Sequence, residues 1–330
     1  MITVIKQGLH DTVQDLGRYG YQRFGVVAGG AMDPFSHRVT NMLVGNEEAV
    51  ATLELTLVGP HLLFEEDALI TIGGGDLTPM VADEPVPMWK PVLIRKGSEL
   101  RFGAARAGCR AYLAVAGGFD IPEVLGSRST YVKAGLGGLD GRALRKEDIL
   151  RFNSSSRLAE VMKGKLVSGL PLRAADWQIT PKLLPNLSGH YEILVMRGMQ
   201  YELFDEESRH HFWNESFTVS SQSDRMGYRI NGPTLRLRES IEMVSEAVTY
   251  GSIQVPADGN PIILAADRQT TGGYPKVGQI SSVDFAKLAQ AKAGDQLSFK
   301  EVTIEESQRL FIKQEMDLRV LRAAIRNRLR

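Results

Sequence analysis

The chain has 330 residues, 43% of them apolar, with 39 acidic side chains set against 39 basic ones. That length suits two domains of ordinary size, and the charge balance leaves no net field to recruit nucleic acid or an anionic membrane. The single cysteine, Cys109, excludes an intramolecular disulfide framework and fits a reducing, cytoplasmic compartment.

The first six residues alternate like a strand and lack the apolar stretch of a signal peptide. No window reaches the roughly 18 consecutive apolar residues that a transmembrane helix needs. Residues 34–44 carry Phe35, Val39, Met42 and Leu43 at helical spacing, with Asp33 placed to cap them. Short alternating runs with dense glycine punctuation then dominate, at 69–72, 92–94 and 112–115, which reads as β structure. Cys109 sits in such a run and reads as a small core residue. Residues 154–188 are poorer in strand signal and contain Pro171, Pro181 and Pro185, so the domain connection is placed there. Strand signals resume at 193–196 and 262–265. Residues 283–291 form a second helix candidate, and 305–329 a third, with Leu318, Leu321, Ile325 and Leu329 as its apolar stripe. The arginines that crowd its end (Arg319, Arg322, Arg326, Arg328, Arg330) read as a solvated face. The expected fold is mainly β: two β-barrel or sandwich domains with a few short helices and a C-terminal helix.

Most motif-like features have bland explanations. Gly73-Gly74-Gly75-Asp76 follows a strand but runs into Thr78-Pro79 where a dinucleotide fold would open a helix. The glycines from Gly135 to Gly141 lack both that spacing and the Lys-Ser/Thr of a P-loop. Hairpin turns and bulges explain both better. The histidines are scattered and the adjacent pair His210-His211 would diverge, so no metal site is expected. Met162-Lys163 lacks the flanks of a biotinylation site.

Two polar, glycine-hinged segments stand out, 14–33 and 245–276. The second leaves an apolar strand directly into Asp267-Arg268-Gln269-Thr270-Thr271-Gly272-Gly273-Tyr274-Pro275-Lys276, and rigid strands carrying such loops are where binding groups concentrate. Arg18, Arg225 and Arg268 with Lys276 suit a carboxylate or phosphate, while Gln254, Gln269, Thr270 and Tyr274 can orient a small-molecule substrate. Asp267, backed by Glu246 or Asp15, is the base candidate. The plain alternative is a polar turn whose Asp–Arg pair satisfies loop backbone. An Asp–Arg–Gly–Tyr order occurs at Asp15, Arg18, Gly20 and Tyr21 and again at Asp224, Arg225, Gly227 and Tyr228, a weak sign of related halves.

Gln14-Asp15-Leu16-Gly17-Arg18 with Gly30-Ala31-Met32-Asp33 resembles the opening of the biotin-dependent carboxyltransferase family, also called allophanate hydrolase subunit 2. The resemblance continues through Leu53-Glu54-Leu55-Thr56, Leu125-Gly126-Ser127-Arg128-Ser129-Thr130, Ser223-Asp224-Arg225-Met226-Gly227-Tyr228 and Ile253-Gln254-Val255-Pro256. One departure is Glu147, at a turn where that family usually has glycine. The resemblance implies two cyclophilin-like β-barrel domains over 1–153 and 189–302, the 154–188 connection, a C-terminal helix over 303–330, and a cleft between or beside the barrels. It further implies the C subunit of an ATP-hydrolysing 5-oxoprolinase, working with a KipI-like companion (the B subunit of that enzyme) and with its A subunit. Without a fused biotin carboxylase or carrier region, bound biotin is not expected, and ATP is expected at a site shared with or lying on a partner. Carboxyl transfer from carboxybiotin, as in urea carboxylase, and a regulatory KipA-type binding role are the alternatives.

Overall fold

The computed structural model describes residues 1–328. The first half builds two six-stranded sheets. One runs Ile149–Leu150, Ile2–Lys6, His61–Phe64, Glu99–Arg101, Met80–Val81 and Glu84–Pro85 in spatial order. The other runs Leu172–Ala174, Val92–Ile94, Ala68–Asp76, Ala107–Val115, Thr52–Thr56 and His10–Gln14. Alternating apolar side chains from both sheets, Leu53, Leu55, Leu62, Phe64, Ile70 and Leu113 among them, close a single buried core. At the turn before Ile149–Leu150, Glu147 takes φ +73°, the left-handed conformation that a glycine adopts without strain.

The second half is a closed barrel. Its strands follow the order His190–Arg197, Lys276–Ile280, Ser252–Gln254, Ile262–Leu264, Gly227–Asn231, Phe217–Val219 and Gln296–Glu301. Closure comes from a parallel pairing of the last strand with the first, His190 opposite Gln296 through Val195 opposite Glu301. Ile193, Val195, Phe217, Ile230, Ile253 and Leu297 fill the interior.

Helices cover the join. Helix α1 spans Pro34–Leu43, with Asp33 accepting from the Ser36 amide at 2.8 Å and proline at its first position, as the sequence requires. Helix α2 is Arg157–Leu166, α3 Glu206–Asn214, α4 Phe285–Gln290 and α5 Ile304–Arg328. The stripe Leu318, Leu321 and Ile325 of α5 packs into a third core cluster with Val39, Leu43 and Met162, fastening the C-terminal helix to α1 and α2. Leu329 and Arg330 lie outside the described residues. Two of the arginines read as solvated are ion-paired, Arg322 with Glu48 and Arg328 with Asp176. No described helix is long and apolar enough to cross a membrane.

One sequence expectation changes and another narrows. Residues 154–188 are more than a connection: they supply α2 and the strand Leu172–Ala174, which extends the second sheet by pairing with Val92–Ile94. Of the turn and bulge expected for Gly73, Gly74 and Gly75, the structure shows the bulge: they lie inside the strand Ala68–Asp76, at a register break with Ala107–Val115. Cys109 is buried, as expected of a core residue.

Candidate active site at the seam between the two β units

The segments 14–33 and 245–276 do meet, and a third segment joins them. Arg225 leaves the start of the barrel strand Gly227–Asn231 and reaches both sides of the seam. Its Nε and Nη2 donate to Asp267 Oδ2 and Oδ1, each at 2.9 Å. Its Nη2 also donates to the Gly30 carbonyl at 2.7 Å, and its Nη1 to Glu54. Tyr250 reaches across to the Met32 carbonyl at 2.7 Å.

Glu54 is the buried counter-charge of this seam, and it comes from the strand Thr52–Thr56 of the first unit. Besides Arg225 it accepts from the Met32 amide and the Tyr112 hydroxyl, both at 2.8 Å, with Arg110 Nε 3.9 Å away. Burial alone would raise its pKa, but the guanidinium groups of Arg225 and Arg110 outweigh burial and hold it below the usual range. Arg110 in turn donates to the Tyr228 hydroxyl and the Ala289 carbonyl, each at 2.7 Å. Burial alone would lower the Arg225 pKa, but the carboxylates of Asp267 and Glu54 outweigh it and hold the guanidinium charged, its pKa raised.

The expected site residues fall into distinct roles. Asp15 is saturated: it accepts from the Gly17 amide, the Arg128 amide and the hydroxyls of Ser127 and Ser129, at 2.5–2.8 Å. Arg18 is 0% exposed, with Nε on the Val124 carbonyl at 2.8 Å and Nη2 on the Ser129 carbonyl at 3.0 Å. Burial lowers its pKa. Both residues hold the Val124–Thr130 loop against the 14–33 loop, so neither offers a surface to a substrate in this conformation. Asp267 has both oxygens on Arg225, one bond to each, which leaves a second lone pair on each oxygen.

Arg268 differs from them. Half-buried, it touches only backbone carbonyls, of Ala265 at 3.2 Å and of Ala266 and Val248 at 3.5 Å. Burial lowers its pKa, an effect opposed by Tyr19, Tyr250 and Asp267 nearby. Among the described residues no acid lies within ion-pair distance of it, so it is the seam cation with capacity for an external anion. Lys276 donates to Glu246 at 2.7 Å and to the Ala247 carbonyl at 3.3 Å. The short pairing of Glu246–Ala247 with Thr271–Gly272 fixes this pair in place. Gln269 and Thr270 are half-buried in the same loop. Gln254 is buried and donates to the Tyr274 carbonyl at 3.4 Å. Tyr274 is 47% exposed and lines a cavity of about 480 Å³ with Phe204, Met243 and Val255; none of Arg225, Asp267 and Arg268 lines it.

Neither glycine-rich segment forms a phosphate cradle. Gly74 and Gly75 abut Gln290, while Gly137 and Gly138 abut Ser129 and Thr130, so the space a phosphate would need is filled. No cluster of metal-binding side chains occurs among the described residues.

Sequence reasoning did not select Glu54, Arg110, Tyr112, Tyr228 or Gln290 for the site. Glu54 carried the one available signal, a carboxylate within an otherwise apolar strand.

Two β units thus meet at a buried charge network, with Arg268 beside it and no acid within ion-pair distance of that residue among the described residues. Residues 24–301 match the carboxyltransferase domain family, subdomains A and B, and the chain belongs to that family. It is 36% identical over 326 residues to the 5-oxoprolinase C subunit of Haemophilus influenzae, covering 98% of this chain and 99% of that one. To the Escherichia coli protein of the same name it is 36% identical over 93% of each chain. Urea amidolyase of Lachancea kluyveri is 35% identical, but the match is 18% of its length. The crystal structure of Kluyveromyces lactis urea carboxylase superposes with a TM-score of 0.86 at 32% identity, over 96% of this chain and 29% of that one.

Proposed function

We propose that the chain is the C subunit of an ATP-dependent 5-oxoprolinase, active in complex with the A and B subunits of that enzyme. The observation that carries this is the end-to-end match at 36% identity with two proteins so named. The urea amidolyase match, by contrast, occupies a small part of a much longer protein.

A lactam resists hydrolysis because its nitrogen donates into the carbonyl. ATP supplies a phosphoryl group to the carbonyl oxygen, which removes that resonance and lets water open the ring. Arg268 binds the substrate carboxylate or the transferred phosphoryl oxygens, the task that its free guanidinium suits. Asp267 accepts the proton of the attacking water on a lone pair that Arg225 leaves free, and the Glu246–Lys276 pair flanks the loop as a second acid–base pair. Gln269 and Thr270 orient the substrate, and the nucleotide is held on or shared with a partner protein.

The test is reconstitution with the partner proteins, followed by 5-oxoproline-dependent ADP release with each component omitted in turn. Turnover should require this chain and fall at least about a hundredfold in Asp267→Asn. Wild-type turnover in a folded Asp267→Asn complex would remove the base assignment. Carboxyl transfer from carboxybiotin is the second reading, supported by the shared fold with urea carboxylase. Full turnover without biotin or bicarbonate would eliminate it.

A further inference from the structure

At its register break with Ala68–Asp76, the strand Ala107–Val115 turns three backbone groups away from the sheet ladder. All three are taken up by one side chain of the other β unit. Gln290, at the end of α4, accepts from the amides of Cys109 and Arg110 through Oε1, each at 3.0 Å. Its Nε2 donates to the Arg110 carbonyl and to Asp33 Oδ2, again at 3.0 Å each. The residue is 0% exposed. Glycines make the socket: a Cβ on Gly75 would lie 2.9 Å from Gln290 Oε1, and one on Gly108 2.6 Å from it.

The socket residue Arg110 continues to Tyr228 and Ala289, and its Nε lies 3.9 Å from Glu54. Glu54 holds Arg225, and Arg225 holds Asp267. We propose that Gln290 is a positioning residue: it plugs a gap in the first unit's sheet, and this docking sets the Arg225–Asp267 pair at the seam. The proposal rests on the seam being the reactive site, and it adds the element that assembles it.

Cys109 reports on docking without any enzymatic assay. It is the only cysteine, 4% exposed, and near enough to Tyr191 and Tyr228 of the barrel to act on both electrostatically. In the full chain under native conditions, an aromatic disulfide reagent should label wild type slowly. Gln290→Ala should label at least about tenfold faster, the population change that losing roughly one well-made network bond produces. Gly75→Ala, a change in the other unit, should do the same. Labelling of both variants at the wild-type rate would overturn the proposal.

Gln290→Glu tests the geometry within one folded variant. The groups around the new carboxyl are Asp33, the backbone of Cys109 and Arg110, Tyr112 beside Gly74, and Tyr191, whose hydroxyl donates to the Gln290 carbonyl at 3.3 Å. Ionised, it opposes Asp33 and the Arg110 carbonyl; protonated, it can donate one of the two bonds that the amide donates. Its labelling, normalised to a denatured control, should be fast at pH 8 and return toward wild type at about pH 5.5. A pH-independent rate would refute the socket. In the reconstituted complex, Gln290→Ala should lower kcat about tenfold or more and leave the KM for 5-oxoproline within about threefold. Faster labelling with unchanged turnover would refute the positioning role. Absence of turnover in wild type would instead count against the 5-oxoprolinase reading and leave the labelling result standing.

Discussion

Replacing Glu54 by glutamine removes one negative charge from beneath two buried guanidinium groups while keeping the side chain's size. Arg225 would keep Asp267, but Arg110 would lose its nearest acid, since Glu54 is the acid 3.9 Å from its Nε. Breaking a buried pair on one side costs about 3–5 kcal/mol, because the remaining charge stays desolvated. For a chain of this size that is a fall in Tm of about 4–7 °C. The Glu54 pKa is held low in the fold, so its contribution is complete above the unfolded carboxylate range. That contribution is lost as pH falls through the lower folded value. The gap between wild type and Glu54→Gln should therefore be full at pH 7 and shrink as pH falls below about 4. Scanning calorimetry across pH measures it. A double variant with Arg225→Met should be less destabilised than the two single changes summed, by roughly 1–3 kcal/mol. A Tm change under about 1 °C, or strict additivity, would show that the network does not carry the seam.

Arg268→Ala should raise the KM for 5-oxoproline at least about tenfold in the complex and leave Tm within about 1 °C, with Arg268→Lys only partly restoring affinity, by steady-state kinetics and thermal denaturation. Asp11 is 1% exposed with Oδ1 unpartnered, and burial pushes its pKa up to about 7. Because the folded value exceeds the unfolded one, this acid costs stability increasingly as pH rises from about 4 to about 7. Asp11→Asn should accordingly raise the denaturation midpoint at pH 8, and the gain should vanish at pH 4; an unchanged midpoint at pH 8 would refute it.

Local signals made much of the fold readable. α1 came from helical spacing and an Asp33 cap that the structure contains, and the strands came from alternation. The convergence of 14–33 with 245–276 was also readable, because glycine-hinged polar loops leave little else for their side chains to do. The glycines were readable as a bulge, which the register break bears out, but not as a socket. The occupant of that socket, Gln290, lies more than two hundred residues from Gly74 and Gly75, and no local pattern records a side chain from another unit. Arg18 and Asp15 were selected by chemical type, and type alone does not distinguish a guanidinium aimed at solvent from one buried on two backbone carbonyls with its Nη1 left unpartnered. Residues 154–188 lacked strand alternation because Leu172–Ala174 is an edge strand of three residues, too short to show a period.

The parallel closure of the barrel has a consequence for how the molecule is made. Because His190–Arg197 and Gln296–Glu301 run in the same direction, the chain enters the barrel at one end and leaves it at the other. The following helix α5 then returns to α1, where Arg38 pairs with Glu315 and Arg322 with Glu48. During synthesis both β units can therefore be complete while the apolar cluster around Val39, Leu43 and Met162 still lacks its cover. A chain cut before α5 would lack Leu318, Leu321 and Ile325 and so leave the apolar surface of Val39, Leu43 and Met162 without its cover.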